Sequence, residues 1–435
     1  MCESVPTPPI SLVKRRLSTA ASKGILTTLT TLTMLTFLTA NVAAGELTLV
    51  DGIPHLINSD TPRDGLETMT LSESWRVGGD EDEIFFGAVT SAAVDDDGNI
   101  YLLDMQLSQV QVYSPDGEYL KTLSREGEGP GEVRRPRYLL FMPDGTLGIV
   151  QMFPGKIVKI DLEGTPAGMV TPFGNDPTVG GFNNLDRVSF RGGNLVFCGT
   201  RMTRTDDGPL RTQYLGSFAE DGSEIVRYLE NSTRPNFSQP KFNEKEEYFV
   251  DRGRWALGPD GRVYTAPIRD SYAIHVFSPE GKLERVIERD LEPWKRTQNE
   301  KNRVAEGLVI VINGRRMEIE KKIEDYEPSV ARLQVTDDGF LWVLNSRSTR
   351  EQPDGIFQTY DVFDPEGHFV KQVAVACEGS GQDDGMMILN NGRVIVIKGM
   401  IAAIRTMIGR GDSEEEDTEE EVVPLEVVCY KVASS

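Results

Sequence analysis

Histidine is almost missing from this chain, with three residues in 435, and cysteine is nearly as scarce, with four. His275 lies inside the strand-like run YAIHVF and His368 just after a turn, so the two are not expected to meet, which argues against a histidine-ligated zinc centre. Cys2 belongs to the N-terminal leader. Cys198, Cys377 and Cys429 sit in apolar, strand-like runs, and their odd number leaves at least one thiol free. Buried inert thiols and a Cys377–Cys429 disulfide are the two readings. HExxH, CxxC, GxSxG and a phosphate loop are all absent, so the chemistries that depend on those spacings have no support, and no catalytic residue is assigned. Basic residues are outnumbered, 46 against 68 acidic, for a net charge of −22. A phosphate backbone needs a basic footprint, which excludes nucleic acid as a partner. Helical periodicity is also nearly absent.

The N-terminus carries what basic clustering there is. Lys14, Arg15, Arg16 and Lys23 precede the uncharged run GILTTLTTLTMLTFLTA, and small residues follow at Val42-Ala43-Ala44. The pattern predicts an export signal over 1–44, cleaved after Ala44, and a secreted or periplasmic protein; a retained anchor is the alternative. Residues 45–65 read as a lead-in, and no stable membrane insertion is expected after cleavage.

The body of the chain is a repeat. DDDGNIYLLD (95–104) recurs as FMPDGTLGIV (141–150), FRGGNLVF (190–197), LGPDGRVYTA (257–266), TDDGFLWVL (336–344) and LNNGRVIVI (389–397). A second turn, SPDG at 114–117, recurs as DLEG, AEDG, SPEG and DPEG at 161, 219, 278 and 364. Short alternating runs between such turns predict an all-β, six-bladed β-propeller over 66–435, made of four-stranded antiparallel blades. With strands a to d in each blade, the first turn joins a to b and the second joins c to d. The sixth copy ends without a d strand, and TMTLSESWRV (68–77) is expected to supply it and close the ring.

DDDGNIYLLD, VQVYSPDGEYL (110–120) and the linker GEGPGEVRRP (127–136) resemble the NHL-type six-bladed propellers, specifically the exported bacterial six-bladed propeller proteins. The resemblance covers roughly residues 66–432 and implies the fold; its motifs are poor guides to function, because propellers serve as scaffolds, binders and enzymes alike.

The a–b and c–d turns are tight, whereas the long elaborations fall in the b–c and d–a connections, which share the opposite face. They are Gly199 to Arg211, 230–254, a partly helical 291–329 between blades four and five, 345–355, and 399–424 with its acidic run DSEEEDTEEE. Long loops concentrated on one face make that face the binding candidate. Eight residues after the first-turn glycine, blades three to five place Arg201, Arg269 and Arg347, a set that would suit a carboxylate, sulfate or phosphate. Solvated loop arginines paired with local acids, such as Arg269 with Asp270, are the plainer reading. Two residues earlier stand Asp104 and Asn345, the oxygen ligands a Ca²⁺ would find at that level, as in the six-bladed lactonases. Asp104 equally suits a backbone-binding role, no cofactor is otherwise expected, and no metal site is assigned. The leading expectation is an exported binding or scaffold propeller that engages a protein, a peptide or an anionic small ligand on the elaborated face. The alternative is a metal-dependent lactonase-like or esterase-like hydrolase, or a lyase, working at the mouth of the central channel.

Overall fold

The computed structural model describes residues 45–79, 84–174, 181–251, 253–308, 310–312, 315–317, 319–389, 391–409 and 424–433. The proposed leader, residues 80–83 and the acidic run 412–421 lie outside the described residues.

Three strands open the chain: β1 Glu46–Val50, β2 Ile53–Asn58 and β3 Leu66–Gly78. Four-stranded meanders follow. The first is β4 Val89–Val94, β5 Ile100–Asp104, β6 Gln109–Tyr113 and β7 Tyr119–Leu123. The second is β8 Pro136–Phe141, β9 Leu147–Gln151, β10 Lys156–Ile160 and β11 Pro166–Val170. The third is β12 Gly181–Arg191, β13 Asn194–Thr205, β14 Gly208–Phe218 and β15 Glu224–Thr233. After β16 Lys241–Asn243 comes a fourth, β17 Trp255–Leu257, β18 Val263–Thr265, β19 Ala273–Phe277 and β20 Leu283–Arg289. Helix α1 Gln298–Glu306 and the short strands β21 Ile310–Ile312, β22 Arg315–Met317 and β23 Glu320–Lys322 lead to β24 Val330–Val335, β25 Leu341–Asn345, β26 Ile356–Phe363 and β27 Phe369–Ala376. The last elements are β28 Gly385–Ile388, β29 Arg393–Lys398, helix α2 Met400–Gly409 and β30 Glu426–Val432.

The order β28-β29-β30 is completed by β3, whose C-terminal half pairs antiparallel with β30, Leu71 opposite Val432 and Val77 opposite Val427. Its N-terminal half runs parallel to β27, Leu66 opposite Gln372.

The core lies between sheets. Leu103 and Val110 of the first pack with Leu139 and Ile149 of the second, and each later sheet meets the next in the same way. Ile395 and Val427 meet Ile100 and Leu102 across Trp75, bringing the last sheet against the first. The first strands of the first five sheets touch in succession, β4 with β8, β8 with β12, β12 with β17 and β17 with β24, which places them innermost. This is a β-propeller arrangement. It explains the residue gradient: β5 and β9 are buried on both faces and read as nearly continuous apolar runs, while the outermost β7 and β11 are largely exposed.

The turn chemistry is visible at Gly117. Its φ of +90° suits glycine, and its N–H closes the turn on the Ser114 carbonyl at 3.0 Å. A Cβ there would lie 2.5 Å from Cγ of Trp75, which also donates from Nε1 to the Pro115 carbonyl. Gly117→Ala is therefore expected to cost about 2–3 kcal/mol, from backbone strain plus displacement of the indole. A lower urea midpoint with unchanged slope would show it.

Three segments show order that the sequence pattern does not specify. The passage Gly199 to Arg211 is no loop: β13 and β14 stay paired out to Thr205 opposite Gly208, a hairpin whose Thr-rich sequence favours strand. The 45–65 lead-in is structured. Strands β1 and β2 form a hairpin that joins the outer edge of β20 in parallel, fixed by His55 Nδ1 to Glu288 at 2.5 Å and by Phe369 N–H to Asn58 Oδ1 at 2.8 Å. The 230–254 and 291–329 elaborations are not separate, because β16 pairs in parallel with β23.

Candidate functional site

All of these elaborations leave the sheets at b–c and d–a connections, and their charges decide how they are held. Glu244, just after β16, accepts from both terminal nitrogens of Arg296 at 2.8 and 2.9 Å, from Arg269 at 2.9 Å and from the Glu324 N–H at 2.9 Å. Burial opposes the Glu244 carboxylate, but the Arg296, backbone and Arg269 hydrogen bonds outweigh it and hold the carboxyl below its ordinary value. The helix α1 starts at a capping box, Thr297 with Glu300, and Glu300 pairs with Arg350 at 2.8 Å. Arg350 also reaches Glu327 at 2.6 Å, and its guanidinium lies over Trp294. The aromatics of this region mostly pin it: Phe249 is buried in the core, and the Tyr248 hydroxyl donates to the Ala266 carbonyl.

A second buried network lies beneath. Asp361 of β26 is fully buried and accepts from Arg289 at 2.5 Å, Asn345 at 2.7 Å, Gln372 at 2.9 Å and the Tyr272 hydroxyl at 3.0 Å. It ties the fourth sheet to the next one. A pocket of about 300 Å³ opens beside it, lined by Asn345, Arg347, Arg350, Gln352, Thr359 and Gln372.

The residues singled out from the sequence fare differently. Arg269 is buried and committed to Glu244, Asp270 and the Tyr326 carbonyl, so its positive charge is already balanced. Arg347 is half-buried, donates to the Glu292 carbonyl at 2.8 Å and faces the pocket. Arg201 is half-buried and stacks over Phe173, 4.6 Å from the ring centre. Arg269 and Arg347 both hold the 291–329 elaboration, whereas Arg201 lies over Phe173, which packs with the second and third sheets. Asp104 is buried and accepts the N–H groups of Gly87, Ala88 and Leu107, the backbone-binding role. Asn345 spends its amide on Asp361 and on the Arg347 N–H. Among the described residues no three His, Cys, Asp or Glu side chains come together in a metal-holding group. Sequence reasoning missed Asp361, Arg289 and Glu244, since a single charged residue in an apolar strand or a charged loop shows its partners only once the chain has folded.

Exposed apolar side chains gather on the same face. Phe153 follows β9 and Phe182 opens β12; they are 56% and 45% exposed and meet edge to face at 5.4 Å. Phe85 and Ile268, at the matching connections of the first and fourth sheets, are exposed as well.

Cys198, Cys377 and Cys429 are free thiols. Burial pushes all three up, Cys377 to about 12. Mass-spectrometric mapping after thiol labelling at neutral pH is expected to find these three unlabelled in native protein and labelled in urea.

The fold and this face define a β-propeller with one built-up surface. No known protein family matches the chain, and no curated protein does. Solved structures similar to it include the virginiamycin B lyase of Staphylococcus aureus, at 11% identity over 74% of this chain and 80% of that one, TM-score 0.35. The calcium-binding protein regucalcin of Agrobacterium tumefaciens has 11% identity over 84% and 97%, TM-score 0.39. A gluconolactonase of Xanthomonas campestris has 12% identity over 80% and 87%, TM-score 0.39. The propeller assignment rests on strand order and core packing. Among the described residues no helix is long and apolar enough to cross a membrane.

Proposed function

We propose that the chain is an exported, NHL-type six-bladed propeller, closed by β3, that binds a protein or peptide through the face of the b–c and d–a connections. The observation that carries this reading is the contrast on that face. Buried ion pairs around Glu244 and a half-buried one at Glu300 hold the elaborations, while Phe85, Phe153, Phe182 and Ile268 stay exposed at connections of the same kind. A face held by ion pairs that still exposes apolar side chains suits a partner, because little ordering entropy is lost on binding. The pocket beside Arg347 offers a place for an anionic group of such a ligand.

The test uses a partner captured from cell-envelope extract by the full chain, identified and then titrated. The double variant Phe153→Ser with Phe182→Ser is expected to weaken that complex at least tenfold, and Tyr119→Ser, on an outer strand, to leave it unchanged. Equal binding by all three proteins would overturn the reading. Bound metal together with a chelator-sensitive lactone or ester hydrolysis would establish the hydrolase or lyase alternative in its place.

A further inference from the structure

Three of the innermost strands carry an arginine at matching positions. Ser91 lies opposite Leu103, Tyr138 opposite Val150, Arg187 opposite Cys198 and Arg332 opposite Leu344. The Ala266 N–H donates to the Arg254 carbonyl in the same relation. These five residues therefore occupy one level of the inner strands. In four of them the register slips just before the residue, at Val89/Ser91, Pro136/Tyr138, Leu185/Arg187 and Val330/Arg332. A repeated bulge re-aims the side chain at the same height in each sheet.

Part of what these arginines do is mechanical. Arg187 donates to the Trp255 carbonyl at 3.0 Å, Arg254 to the Val330 carbonyl at 3.3 Å and Arg332 to the Met386 carbonyl at 3.3 Å, each stapling its sheet to the next. That role uses few of the five N–H donors a guanidinium carries. Arg254 has further partners in the Phe249 carbonyl and Asp251. Arg187 and Arg332 have no ion pair with a carboxylate among the described residues, although acids outnumber bases in the chain. Asp186, the acid on the bulge, is not free either.

The Arg187 guanidinium also lies over the Trp255 ring, 4.8 Å from its centre, and the two arginines without a carboxylate partner feel each other. Burial holds the Arg187 guanidinium below the ordinary arginine value; the Tyr138 hydroxyl pulls it back, and the Arg332 charge pushes it down again. Arg187 nevertheless keeps accessible surface, and Arg332 is exposed. Neighbouring sheets cover the flanks of an innermost strand, so the open side left to it is that of the central channel. Two like charges at one level of the inner strands, neither with a carboxylate partner, cost free energy unless an anion balances them.

We propose that Arg187 and Arg332, with the Tyr138 hydroxyl, form an anion site in the central channel that takes a small oxyanion, a carboxylate, sulfate or phosphate. The site is separate from the loop-face surface and does not rest on the binding role proposed for it.

Calorimetric titration of the full chain at pH 7 and low ionic strength, with inorganic sulfate, inorganic phosphate and succinate as probes, tests it. At least one probe is expected to bind saturably at one site per chain. Arg332→Gln is expected to weaken that binding at least tenfold, and Arg201→Gln to leave it unchanged. Arg332 is exposed and makes one long hydrogen bond, so its variant is expected to fold; Arg187→Gln, where folded, gives a second reading of the same loss. The same probe should raise the melting temperature of wild type more than that of Arg332→Gln. No saturable binding by any probe, an unchanged dissociation constant in Arg332→Gln, or an equal thermal effect from chloride at matched ionic strength would each overturn the proposal.

Discussion

Asp361→Ala is expected to destabilise the whole protein by about 3–5 kcal/mol, the cost of removing one partner from a buried charge pair. The carboxylate is the common acceptor for Arg289, Asn345, Gln372 and Tyr272, all on strands or strand ends of two adjacent sheets. Without it the Arg289 guanidinium, sandwiched over Phe369 and Tyr272, is a buried cation with only the Asp60 carbonyl left to accept from it. Asp361→Asn restores the shape and one acceptor oxygen, but it turns an amide N–H toward groups that are themselves donors, so it should recover only part of the loss. Urea unfolding followed by fluorescence would show the Ala variant with a much lower midpoint, and Arg289→Met in the same background would cost little more. Additive losses from the two substitutions would mean that the pair does not act as a unit.

How much of this was readable in advance depended on range. The turn glycines are dictated locally: Gly98, Gly145, Gly261 and Gly339 all sit at φ between +79° and +85°, and a residue that must adopt that conformation announces itself in sequence. The buried b strands announced themselves as apolar runs for the same reason. Asp361 could not. It stands in IFQTYDVF, a strand buried over most of its length, and two of its four partners, Arg289 and Tyr272, are 72 and 89 residues away. Docking of the Glu46–Asn58 hairpin on β20 was equally invisible, since an edge strand accepts any neighbour with matching free hydrogen bonds. The inner-strand arginines were within reach. Aligning strand a on the glycines, as was done for strand b, places Arg254 and Arg332 at one offset, with Arg187 displaced by one residue because its turn is shorter. The b-strand alignment chose Arg201, Arg269 and Arg347, and the structure gives those three different jobs, because loop residues at equal offsets leave the strands along different paths.

Glu244→Ala should show the opposite signature to Asp361→Ala: a large local loss with a small global one. Removing the carboxylate leaves Arg269 and Arg296, both nearly buried, without the acceptor they share, a cost of about 3–5 kcal/mol by the same reasoning. Asp270 still pairs with Arg269, but Arg296 keeps only the Glu324 carbonyl. The strain falls on the contact between 241–243 and 320–322, which the sheets do not need in order to fold. Hydrogen exchange is therefore expected to rise sharply in 241–247 and 320–327 while the blade strands stay protected, and limited proteolysis should cut there first. The pH dependence has a definite sign. Because the folded Glu244 carboxyl lies below its ordinary value, its contribution is complete above the unfolded carboxyl pKa of about 4.3 and disappears as pH falls through the lower folded value. In wild type the same segments should lose protection only under acid conditions below about pH 4, and in Glu244→Ala they should already be open at pH 7. A variant that kept full protection in both segments at neutral pH would mean that the surface is held by its backbone pairing and not by these charges.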